Sequence, residues 1–102
     1  MSRMKIKIGG IAYSIWEDIN IHAQNGDRLM GEINYAHKII TLDSNLNRDM
    51  KRVTLLHELL HGIINHAGGK HNEGQIDMIS NGLYQIFKEN EKVIKSLIWG
   101  DK

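Results

Sequence analysis

Val53-Thr54-Leu55-Leu56-His57-Glu58-Leu59-Leu60-His61-Gly62-Ile63-Ile64 is the stretch that decides the fold. Val53, Leu56, Leu60, Ile63 and Ile64 recur at helical spacing. On such a helix His57 and His61 share one face, so both imidazoles can reach a single cation at about 2.0–2.1 Å. Glu58 then sits beside the metal, not on it. From there its carboxylate can take the proton of a metal-bound water and return it to a leaving group. HExxH on a helix therefore names a reaction type, hydrolysis, with Zn2+ as the expected ion, one per chain. The competing reading is two ordinary histidines on an amphipathic helix, and the flanking sequence weighs against it.

Asn47 is suited to cap the start of this helix, which the pattern carries to His66 before Gly68-Gly69 stops it. Asn72-Glu73-Gly74-Gln75 resembles a capping box and opens a second helix, with an apolar stripe of Ile76, Ile79, Leu83, Ile86 and Phe87 and an end near Asn90. Lys92 to Trp99 predicts a short terminal helix that packs back on the domain. Upstream, Lys5 to Ile8 and Ile11 to Ile15 alternate around Gly9-Gly10 as a β-hairpin. Leu29 to Tyr35 and Lys38 to Leu42 form a second pair of strand-like runs around Ala36-His37. Trp16 to Asn25 reads either as a strand extension or as an irregular link. The expected class is α+β: a small antiparallel sheet of N-terminal hairpins packed on the HExxH helix and a second, C-terminal helix.

With 102 residues the chain is expected to form one domain, 1–102, with a shallow site or one completed by an activating partner or a second copy. It has no cysteine, so metal ligands must come from His, Asp and Glu. Thirteen Lys and Arg against twelve Asp and Glu leave a formal charge of +1, which supports neither nucleic-acid binding nor attraction to anionic lipid. Met1 to Ile8 alternates polar and apolar residues, unlike a signal peptide, and no run approaches membrane-spanning length. A cytoplasmic location is expected.

A catalytic zinc generally takes three protein ligands, so His57 and His61 need one more. His66 points to a different azimuth of the same helix and suits a helix C-terminus instead. Glu73 is preferred, because a Gly68-Gly69 reversal lets the first turn of the next helix fold back on the first. Asp77, at i+4 on the same face, could accept the outer N–H of a ligating imidazole. His71 remains the alternative third ligand, and a site without a third protein ligand also stays open. Tyr35, His37, His71 and Tyr84 are candidates to stabilise an oxyanion or bind substrate, and the sequence does not rank them.

Glu73-Gly-Gln-Ile-Asp77 after HExxH resembles the gluzincin arrangement of zinc peptidases. More closely, Thr54 to Ile63, Gly31 to Tyr35, Ile39 to Leu42 and Glu73 to Tyr84 are similar to a compact member of the ImmA/IrrE family of phages and mobile elements, over about Leu29 to Asn90. The resemblance implies a zincin-like minimal fold and a cytoplasmic metallopeptidase, some relatives of which cleave helix-turn-helix repressors. It further implies zinc on His57, His61 and Glu73, with Glu58 as base. A peptide substrate would then be expected to align along the strand Lys38 to Leu42. The rival readings are a zinc-binding interaction module without turnover and a zinc hydrolase of a non-peptide substrate.

Overall fold

The computed structural model describes residues 4–100; Met1-Ser2-Arg3, the start of the alternating N-terminal run, lies outside them. Two hairpins come first. Strands β1 (Met4–Ile8) and β2 (Ile11–Asp18) pair antiparallel across Gly9-Gly10, whose φ values of 57° and 83° are those a two-residue turn requires and glycine supplies freely. Strands β3 (Gly31–Asn34) and β4 (Ile39–Asp43) pair antiparallel around residues 35–38, with Ile33 opposite Ile40.

The hairpins join side by side in the order β1-β2-β4-β3, and β2 runs parallel to β4. The sheet is therefore mixed, where local pattern had suggested an antiparallel one. The reason lies in relative polarity. β4 carries Ile40 and Leu42, exposed by only 0% and 5%, and takes a central position with partners on both sides. Gly31-Glu32-Ile33-Asn34, the more polar run, is left at the edge. Residues 19–30 must then pass around β4. They do so as an ordered loop in which Ala23 N–H donates to the Asp27 carbonyl (2.8 Å) and Leu29 N–H to that of Ile21 (2.9 Å). Trp16 to Asn25 is thus both things its sequence allowed, strand as far as Asp18 and irregular link beyond.

Helix α1 (Arg48–Ala67) packs on one face of this sheet. Asn47 caps it by accepting the Met50 N–H at 2.8 Å; at the other end Gly68, with φ 76°, turns the chain so that Gly69 N–H donates to the Ile64 carbonyl at 2.9 Å. Leu55 and Leu59 cover a core of Ile8, Tyr13, Ile15, Ile40 and Leu42, each buried aliphatic side chain contributing about 1.5–3 kcal/mol. Two glycines let the helix come close. A Cβ at Gly62 would lie 2.6 Å from Ile8 Cδ1, and one at Gly31 2.6 Å from Thr54 Cγ2. Consequently the helical face Thr54, Glu58, Gly62 is buried against the strands, which carries a carboxyl group into the interface.

Helix α2 (Glu73–Glu89) is capped by Asn72, which accepts the Gln75 N–H at 2.9 Å, and lies along α1 through its buried Ile76 and Ser80. Among the described residues, helix α3 (Glu91–Trp99) packs on α2 alone and leaves Leu97, Ile98 and Trp99 exposed, so it does not reach the core as the sequence pattern had suggested. No described helix is long and apolar enough to cross a membrane.

Candidate metal centre

The short link from Gly68 to Asn72 lays the first turn of α2 over the middle of α1, and this brings Glu73 to the two histidines of HExxH. His57 Nε2 lies 3.2 Å from His61 Nε2 and 3.1 Å from Glu73 Oε2; His61 Nε2 lies 2.7 Å from Glu73 Oε1. Bonds of 2.0–2.1 Å in a tetrahedron separate neighbouring ligand atoms by roughly 3.3 Å. The two imidazole nitrogens are thus close to that separation, each faces an oxygen of the Glu73 carboxylate, and imidazole and carboxylate donors together suit a divalent ion. His57, His61 and Glu73 are the group of three among the described residues whose ligand atoms converge in this way.

The outer edge of each imidazole also has a partner. His57 Nδ1 meets Asp77 Oδ1 at 2.8 Å, so Nδ1–H donates to the carboxylate and Nε2 is left with its lone pair facing the other two donors. His61 Nδ1 meets His71 Nδ1 at 2.7 Å. His71 therefore stands behind His61 and outside the group of three.

Glu58 is 6% exposed, and burial first, then the neighbouring Glu73 and Glu32 charges, raise its carboxyl to about 7, against the opposing pull of His57. Burial also lowers His61 and so favours its neutral, ligating form. Tyr35 is raised, again by burial first and then by the Glu58 charge, which keeps its hydroxyl a proton donor.

These groups open onto a groove of about 810 Å³ between β3 and the two helices. Tyr35 lines it. His37 and Tyr84 do not: His37 is exposed at the β3–β4 turn, where its N–H donates to Asn34 Oδ1 (2.9 Å), and the Tyr84 hydroxyl donates to Asp49 in the first turn of α1. The expectation that a peptide aligns along Lys38 to Leu42 is corrected by the sheet order. β4 is hydrogen-bonded on both sides, whereas among the described residues β3 has a free edge, and its residues border the groove.

Sequence reading missed the apolar lining of the groove, to which Met50 and Val53 of α1 and Leu29 and Met30 of the preceding loop contribute. The signal was present, since Met50 and Val53 precede His57 by seven and four positions, on the same helical face. It also missed Arg28, held at the groove's rim by the buried Asp43 at 3.1 Å. The Asn45 N–H, together with Arg28, holds the Asp43 carboxyl below the usual range.

Fold and site together define an α+β protein with an HExxH helix and a histidine–histidine–glutamate donor set for a metal. Residues 17–89 match the family model of the IrrE N-terminal-like domain, a peptidase family numbered M78, and the chain belongs to that family. No curated protein and no solved structure matches it.

Proposed function

We propose that this protein is a zinc-dependent peptidase acting on a protein substrate, with Glu58 as the general base and His57, His61 and Glu73 as the zinc ligands. The observation that carries the reading is the placement of Glu58. It lies next in sequence to one of the donors, is not itself a donor, and is a buried carboxyl raised to about 7 before any metal binds. A structural metal site would have no use for such a group.

Zinc bound there would lower the pKa of a coordinated water and polarise the scissile carbonyl. The chain's own residues do the rest. Glu58 takes the proton from the attacking water and delivers it to the leaving amine. Tyr35, kept protonated by its surroundings, donates to the carbonyl oxygen as negative charge develops there. The free edge of β3 holds an extended substrate. The Asp43 N–H donates to the Met30 carbonyl (2.8 Å), and the β3–β4 register then leaves the main-chain groups of Gly31 and Ile33 directed away from β4. The family resemblance makes a helix-turn-helix repressor the first substrate to try, and a cytoplasmic site of action goes with it.

The test is cleavage of a proteome-derived peptide library by the zinc-loaded protein, read by mass spectrometry, with Glu58→Gln as the control. The expected result is about one zinc per chain in both proteins and new termini only with the wild type. Equal cleavage by Glu58→Gln overturns the role of the base. Zinc retained without cleavage of the library or of a repressor favours the non-catalytic interaction module.

A further inference from the structure

We propose that His71 is a positioning residue for the metal centre, accepting the Nδ1–H of His61 and so fixing the tautomer and direction of that ligand. This rests on the reading of His57, His61 and Glu73 as zinc ligands.

The geometry is that of an N–H···N hydrogen bond. The two Nδ1 atoms are 2.7 Å apart, while the ring centroids are 4.9 Å apart and the planes differ by 22°. Rings stacked face to face could not bring two nitrogens that close at that centroid separation. They meet edge to edge, in nearly one plane. Of two facing imidazole nitrogens one must donate and the other accept. His61 directs Nε2 at Glu73 and His57, so Nε2 supplies the metal lone pair and Nδ1 carries the hydrogen. His71 Nδ1 is therefore the acceptor, and its own hydrogen resides on Nε2.

The two ligating imidazoles are thus supported by different chemistry. His57 donates to a carboxylate, Asp77, and His61 to a neutral ring. A neutral acceptor adds no further negative charge to a centre already holding Glu58, Glu73 and Asp77. The local backbone explains how His71 gets there. It lies in the link between Gly68, which ends α1, and Asn72, which caps α2, so both helix ends fix its position beside α1.

Asparagine is the conservative replacement, because its Oδ1 occupies the position of imidazole Nδ1 and accepts but binds zinc poorly. Zinc affinity is read by competition with a chromophoric chelator for wild type, His71→Ala and His71→Asn. The tautomer of His61 is read by ¹⁵N NMR in the metal-free proteins, with thermal unfolding as the check on folding. His71→Ala should bind zinc about 10–100-fold more weakly and lose the protected His61 Nδ1–H signal, at an unchanged metal-free melting temperature, while His71→Asn restores both. Wild-type affinity in His71→Ala overturns the proposal. Equal loss in Ala and Asn also overturns it, in favour of His71 as a direct ligand. If the wild type takes up no zinc, the peptidase reading fails separately. The NMR arm then still decides whether His71 holds the His61 tautomer.

Discussion

Replacing Glu58 by glutamine should stabilise the metal-free protein while abolishing turnover. Glu58 is buried between α1 and the sheet, and its carboxyl is raised from 4.5 to about 7. Below about pH 4.5 the folded and unfolded chains both hold the proton, and no charge is buried. Between 4.5 and 7 the unfolded chain releases it while the folded chain keeps it, so stability falls as pH rises. Above 7 the full cost of the buried carboxylate is present, on the order of 3 kcal/mol at about 1.36 kcal/mol per pH unit. Glutamine has the same shape and no charge, and its desolvation, like that of the protonated carboxyl it replaces, does not vary with pH, so its advantage over the wild type should grow from near zero at pH 4.5 to about 3 kcal/mol at pH 8. The assay is urea unfolding of both proteins in chelator at the two pH values. With a slope of roughly 1–3 kcal/mol/M, the midpoints should separate by about 1 M or more at pH 8 and nearly coincide at pH 4.5. His61 also titrates in this range, but in both proteins, and it cancels to first order in their difference. A separation independent of pH, or a less stable Glu58→Gln at pH 8, would refute the argument.

Tyr35→Phe should lower kcat on a cleaved peptide by about 10²–10³-fold with zinc affinity unchanged, as expected for loss of one oxyanion donor; an unaltered kcat removes Tyr35 from the mechanism. Gly31→Ala should destabilise the protein by about 1–3 kcal/mol, because the new methyl would meet Thr54 Cγ2 at 2.6 Å and the Thr41 carbonyl at 3.2 Å. Thr54→Ser, which removes that methyl, should recover part of the loss in the double variant, and strict additivity in thermal unfolding would exclude the clash.

Much of the fold is written in short-range signals. The Gly9-Gly10 turn, the Asn47 and Asn72 caps and the Gly68 stop each depend on the conformation or hydrogen bonding of a few adjacent residues, so the first hairpin's turn and the helix boundaries could be read nearly to the residue. The histidine pair is equally local, because four residues make one helical turn. Glu73 was reachable by a longer inference, from a glycine reversal to a helix that folds back. Tyr84 shows where such inference stops: its hydroxyl reaches Asp49, 35 positions away, and nothing near Tyr84 in sequence announces that partner.

By itself, then, the sequence determined the α+β class, the two hairpins, the helices and the presence of an HExxH face, since each follows from the period and stereochemistry of neighbouring residues. Tertiary structure alone decided that β4 is central and β3 the free edge beside the groove, that Glu58 is buried and titrates near 7, and that His71 stands behind His61. The physical reason is common to all three. Strand order, desolvation and the meeting of side chains from separate elements depend on how the apolar faces are buried against one another, a balance taken over the whole chain and absent from any local stretch of it.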